Sequence, residues 1–212
     1  MCWSATADLV AGTGITVVGA VCVARVRHLR DLPLAALPLL LGLHQGIESV
    51  VWRTGGGTGP ATLAWAVIAL PVLAVWVPLA VLLAAPPEAR RRLAVPALAG
   101  AATAAVLVYC LATRTVRAEI RGHTLGYAVD VPYAPLVVAG YLVATLGSLL
   151  LGGDPSVRLL GAVVTCGALL CAVLWRLEFL STWCALAAVA SALLLLRPRR
   201  PPDANPPSPA EG

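Results

Sequence analysis

The chain has 212 residues, 59% of them hydrophobic and 12% charged, with a formal net charge of +5 and a mean hydropathy of +0.88. So apolar a composition excludes a soluble domain with an ordinary charged surface, and recurrent apolar runs of roughly 18 or more residues, each able to cross about 30 Å of hydrocarbon, indicate a membrane protein. All fifteen basic residues are arginine, a bias typical of GC-rich bacterial genomes; they flank the apolar runs as topology signals do, so no nucleic-acid partner is expected.

Alternating strands of roughly ten residues are missing, which argues against an outer-membrane barrel, and lone strands or loops in lipid would leave backbone groups unpaired, so the spans are expected to be helices. The start, MCWSATADLV, has neither a basic leader nor a small-x-small cleavage site and reads as a retained helix. The first span is expected near 7–25, with Gly12, Thr16, Ala20 and Ala24 as a small-residue stripe for close helix approach. The second, 32–52, contains LGLHQGIESVVWR, Leu41 to Arg53, whose polar residues need an explanation inside a membrane. RTGGGTGP then reads as a flexible turn, followed by spans at 61–85 and 93–112, where Pro71, Pro78 and Pro96 remove backbone donors and predict kinks.

Between spans four and five lies an outer segment, 113–133, in which Val116, Ala118 and Ile120 alternate with Arg117, Glu119 and Arg121 before a Gly122-His123 turn signal. This predicts a short amphipathic hairpin, either a lid over the outer mouth or an ordered connection. Three further spans follow at 134–152, 158–177 and 179–196; the last two meet at WRLEFLST, where one long broken helix is the competing reading. The proline-rich tail, 197–212, is too poor in apolar residues to fold and is expected to be a disordered cytoplasmic end. With the amino terminus outside, Arg25, Arg27, Arg30, Arg90, Arg91, Arg92, Arg158, Arg197, Arg199 and Arg200 all lie inside, against Arg53, Arg114, Arg117, Arg121 and Arg176 outside. The positive-inside rule therefore predicts an all-α bundle of seven transmembrane helices, residues 1–196, oriented N-out and C-in in a bacterial inner membrane.

In that orientation Trp52 sits at the outer interface, with Glu48 one turn and His44 two turns deeper on the same face and Gln45 beside them. A carboxylate inside the bilayer costs on the order of 3 kcal/mol on insertion scales, so such residues face the bundle interior and have partners. Cys2 and Ser4 start the first helix at the same depth, and Arg176, Glu178, Ser181 and Cys184 gather around the outer ends of the last two. Three assignments stand for Cys2 and Cys184: a disulfide joining the first helix to the seventh, two free thiols, or metal ligands together with His44 and Glu48, an acceptable zinc set. His44 with Glu48 reads first as a polar pair that fixes helix packing, then as a ligand or proton site, and last as part of a metal site. Cys22, Cys110, Cys166 and Cys171 lack CxxC spacing and read as small apolar fillers.

MCWSATADLVAG, LPLAALPLLLGLHQGIESVVW and STWCALAAVAS, in that order, resemble a family of bacterial, largely actinobacterial, multi-pass membrane proteins known as a domain of unknown function. The likeness covers nearly the whole chain and rests on Cys2 to Ala5, on Gln45 and Glu48 with Trp52, and on Trp183 with Cys184; Trp3 and Ser49 depart from the pattern. The resemblance implies a seven-helix membrane protein and no known activity or cofactor. The polar residues favour a binding or sensing module for a small or lipidic ligand, the membrane lipid being its immediate partner. Two alternatives are a membrane-embedded metal-dependent lipid hydrolase, with Glu48 as general base, and a structural subunit of a membrane complex. Neither the cofactor, the ligand nor the oligomeric state can be read from these residues.

Overall fold

A computed structural model describes the backbone of residues 4–174 and 179–196 and the side chains of residues 4–169 and 188–196. Helix α1 (Ala5–Ala24) starts at Ser4, whose hydroxyl accepts a hydrogen bond from the Ala7 N–H at 3.2 Å and so satisfies one of the four donors left over at a helix start. Helix α2 (Leu29–Arg53) is broken at Ala36. Pro33 and Pro38 flank the break and carry no N–H to continue the ladder. The Trp76 indole N–H donates to the Pro33 carbonyl at 3.0 Å, tying this irregular stretch to helix α3 (Pro60–Ala84).

Pro71 does not simply bend α3. It lies in a π-helical turn, Ile68–Val72, and the Ala69 carbonyl in that turn accepts a hydrogen bond from the Tyr141 hydroxyl at 2.7 Å. Tyr141 belongs to α5 (Ala134–Leu151), which has a π turn of its own at Val143–Gly147. Pro78 and Pro96 lie inside α3 and α4 (Pro87–Thr113) respectively. The helix α4 begins six residues before the expected span, because Arg90, Arg91 and Arg92 occupy exposed helical turns beyond the apolar stretch; arginine ends the hydrocarbon zone without ending the helix.

Helices α6 (Pro155–Leu174) and α7 (Phe179–Leu196) follow. The protein is mostly helical, and α1 to α5 are each long and apolar enough to cross a membrane; in α6 the described apolar stretch, Pro155–Leu169, is shorter. The ends of α1 and α7 meet where the Arg25 guanidinium donates to the Leu195 carbonyl at 3.0 Å. Among the described residues the fold departs from an all-helical bundle in one place. Strands β1 (Arg117–Arg121) and β2 (Thr124–Ala128) form an antiparallel hairpin in register Arg117 with Ala128 and Arg121 with Thr124. Gly122 takes the first turn position at φ +61°, as a two-residue type II′ connection requires.

α1 and α2 pack most closely, and the contact line corrects the small-residue stripe. Asp8, Gly12, Ile15, Gly19 and Cys22 are buried, whereas Ala20 and Ala24 are exposed. A four-residue repeat drifts about 40° per step around a 3.6-residue helix and leaves the interface, whereas alternating steps of four and three stay on it. Gly12 lies against Gly42 and Gln45, and Gly19 against Leu39, so the two helices run antiparallel with their backbones in contact.

Candidate functional site

Extending the α1–α2 register one turn from Gly12 towards the start of α1 brings Asp8 opposite the turn of α2 that carries Glu48, Ser49 and Trp52. Asp8 is 0% exposed and Glu48 1%. The two carboxylates are electrostatic neighbours, and the Trp52 indole N–H faces Asp8. No hydrogen bond of ordinary geometry reaches either Asp8 oxygen from the described residues, nor does the Trp52 N–H make one. The Gln45 amide donates to Glu48 Oε2 at a long 3.5 Å, and Gln45 and Ser49 are buried. The His44 ring packs towards α3. Its centroid is 4.9 Å from that of Trp65, tilted by 39°, and its Nε2 is buried without a hydrogen-bond partner among the described residues.

Trp65 is stacked in turn on Tyr127 of β2, with ring centroids 3.4 Å apart and planes within 1°. Three rings thus join α2, α3 and the hairpin. The hairpin turns Ala118, Leu125 and Tyr127 inward against Val51, Trp52 and Ala61, while Val116 packs with Trp65 and Ala66. The glycine loop after α2 completes the cover. Gly57 and Ala118 exchange backbone hydrogen bonds at 2.8 and 2.9 Å, and Gly55, Gly56 and Gly57 all have positive φ, which glycine adopts without strain. This segment is an ordered turn docked on the hairpin. At the hairpin base the Arg114 guanidinium donates to the Asp130 side chain and backbone carbonyl.

Of the residues singled out in the sequence, His44, Gln45, Glu48 and Trp52 lie in the C-terminal turns of α2, towards the end that the hairpin packs against. Cys2 and Glu178 lie outside the described residues, and Ser181 and Cys184 fall in α7 outside the described side chains. Among the described residues no three His, Cys, Asp or Glu side chains converge as metal ligands. Cys22, Cys110 and Cys166 are free thiols; Cys22 and Cys110 are buried and Cys166 is exposed. The arrangement is a pair of interior carboxylates, flanked by an amide, a hydroxyl and an indole N–H, under a cover held by aromatic stacking.

A known family matches residues 1–208 of this chain. The chain belongs to DUF6629, a family of unknown function. That agrees with the resemblance read from its motifs, which pointed to a family without an assigned activity over nearly the whole length. No curated protein and no solved structure matches the chain. In this DUF6629 member, sequence reasoning missed Asp8, Trp65 and Tyr127. Asp8 follows a capping serine and passes for an ordinary first-turn acid at a helix N-terminus. The signal was its spacing of four from Gly12 and seven from Ile15, which places it on the buried face. Trp65 and Tyr127 carried no signal, since their stacking joins residues 62 positions apart.

Proposed function

We propose that the protein is a seven-span protein of a bacterial cytoplasmic membrane, amino terminus outside, which binds or senses a small or lipidic ligand at the polar site in its outer half. The observation that carries the reading is the buried pair Asp8 and Glu48, with Asp8 accepting no hydrogen bond from the described residues. Helix packing alone is served by one hydrogen-bonded polar pair. A second interior acid adds desolvation and like-charge repulsion, and a ligand that supplies positive charge or several donors relieves both when it binds. The hairpin cover shields the pair from water, which strengthens such contacts.

Intrinsic tryptophan fluorescence gives a direct test, because Trp52 faces Asp8 and Trp65 contacts His44. Titration of the purified protein with ethanolamine is expected to give a saturable change that Glu48→Gln abolishes. A linear response, or one unaltered in Glu48→Gln, overturns the binding reading.

The orientation is supported by the ten arginines on one side of the proposed spans, and an odd number of spans by the Arg25 to Leu195 contact, which puts the C-terminal ends of the first and last helices on the same side. A reporter fused after Arg200 is expected to be cytoplasmic, and one inserted at Gly122 external. The reverse pattern would put the carboxylate pair on the cytoplasmic side and refute this topology.

A further inference from the structure

Arg90, Arg91 and Arg92 lie within the first turns of α4, and because the helix runs through them their directions are set by its geometry. Ala89, Leu93, Pro96 and Gly100 are the buried line of that helix. At about 100° per residue, Arg91 stands on the opposite side, in line with Val95, Leu98, Ala102, Ala105 and Tyr109. All of these are exposed, Val95 by 65%, Leu98 by 71% and Tyr109 by 63%. An apolar lane thus runs along α4 from a cation to a phenol about 27 Å away, close to the roughly 30 Å of a hydrocarbon core. In the middle of the lane Ala102 and Ala105 present only methyl groups, which leaves room for a chain laid flat against the helix.

Charge distinguishes the two ends of α4. At its hairpin end, Arg114 and Arg121 pair with Asp130 and Glu119. At the other end Leu34, Ala89 and Val157 belong to one apolar cluster, which gathers Arg30, Arg90 and Arg158, close to them in sequence, on the same side. Among the described residues, none of Arg30, Arg90, Arg91, Arg92 and Arg158 lies in an ion pair. Three acids share that end, Asp31, Glu88 and Asp154, and the Asp154 carboxylate already accepts the Ser156 N–H at 2.8 Å. Positive charge at one end is all that a topology signal requires. A row that starts at an unpaired arginine and continues as an exposed apolar lane has the chemistry of a phospholipid reversed: a cation for the phosphate, then a surface for the chain.

We propose that the exposed face of α4 binds one anionic phospholipid, its phosphodiester held by Arg91 with Arg90 and Arg92 on either side, and an acyl chain laid along Leu98, Ala102 and Ala105. The planar guanidinium fork matches two phosphate oxygens at once, and its long stem lets the charge stay at headgroup level while the methylenes lie on the helix. The anionic class follows from the surplus of unpaired arginines at this end, which a zwitterionic headgroup satisfies less well. The surface is independent of the site at Asp8 and Glu48 and rests only on α4 crossing a bilayer, for which it is long and apolar enough.

The test uses the full-length protein in phosphatidylcholine nanodiscs doped with a phosphatidylglycerol that carries a diazirine midway along one chain. Photolysis and peptide mapping are expected to place the label at Leu98, Ala102 or Ala105. Unlabelled phosphatidylglycerol should compete, whereas phosphatidylcholine of the same chains and soluble glycerol 3-phosphate should not. Arg91→Gln, which leaves the other arginines of this end in place, should weaken the labelling at least about five-fold, the weight of one basic side chain at an anionic headgroup. Arg27→Gln removes an equal charge from the same end away from the lane and should leave the labelling unchanged. An equal loss in both variants would show that the summed field of this end, not a seat at Arg91, attracts the lipid, and overturns the proposal. Label spread without competition over Val10 and Val17 of α1 and Leu136 of α5, which are 67%, 59% and 73% exposed, overturns it as well, since the lipid is then only solvent. Cross-links between two copies through Leu98, with no lipid label there, would give the face to a second chain and refute it.

Discussion

Gly42→Ala is expected to destabilise the protein by about 2–3 kcal/mol, the upper part of the range for overpacking a tight interface. A Cβ at position 42 would overlap Thr16 Oγ1 and come within 2.9 Å of the Gly12 carbonyl oxygen and the Thr16 nitrogen. Thr16 cannot swing away freely, because its hydroxyl donates to the Gly12 carbonyl at 2.7 Å, and the other two atoms are backbone. Relief requires α1 and α2 to separate, which also draws Asp8 away from Glu48. Gly46, one turn further along the same helix, provides the control, since a Cβ there meets nothing within 4 Å. Gly46→Ala is expected to be neutral or to stabilise by up to about 1 kcal/mol through helix propensity. Thermal unfolding of the two variants in one detergent, followed by loss of the monodisperse chromatographic peak, makes the comparison. Equal unfolding temperatures would show that the close contact between α1 and α2 is not what holds them together.

Neutralising one acid of the buried pair is expected to separate stability from binding. Asp8→Asn keeps the shape of the side chain and removes one of two like charges, so the fold should gain on the order of 1 kcal/mol while the ethanolamine response is lost. Glu48→Gln should fold at near wild-type yield and also lose the response. Glu48→Leu removes the acceptor of the Gln45 amide, leaving a buried donor unpaired, and should lower folded yield by the equivalent of about 1–3 kcal/mol. Asp8→Asn and Glu48→Gln combined should deviate from additivity by at least 0.5 kcal/mol, as neighbouring charges do. An acid pair that served packing alone would give the opposite pattern: both single neutralisations destabilise, and no ligand response exists to be lost.

Membrane character was legible because it depends on local composition. Long apolar runs must become helices whatever they pack against, since only a helix pairs its own backbone groups in lipid. The alternation of Val116 and Ala118 with Arg117 and Glu119 marks a strand one face of which is buried, and Gly122 is the residue its turn demands. Charge was a less faithful guide to helix ends, as the arginines within the first turns of α4 illustrate. Proline marked where the ladder fails without saying how, because the π turn at Ile68–Val72 depends on Tyr141 of another helix taking up a carbonyl.

By itself, then, the sequence determined that this is a chain of apolar helices with a polar interruption at His44, Gln45 and Glu48, since burial cost and helical periodicity act within one segment. Only the tertiary structure decided what meets that interruption. Asp8 comes opposite the turn of α2 that carries Glu48 because Gly12 and Gly42 let two backbones touch in one register, and Tyr127 covers Trp65 because the hairpin folds back over α2 and α3. Both outcomes depend on the sliding and rotation of whole elements against one another. Those rigid-body degrees of freedom are settled by the close packing of many distant side chains at once, and no local stretch of residues encodes them.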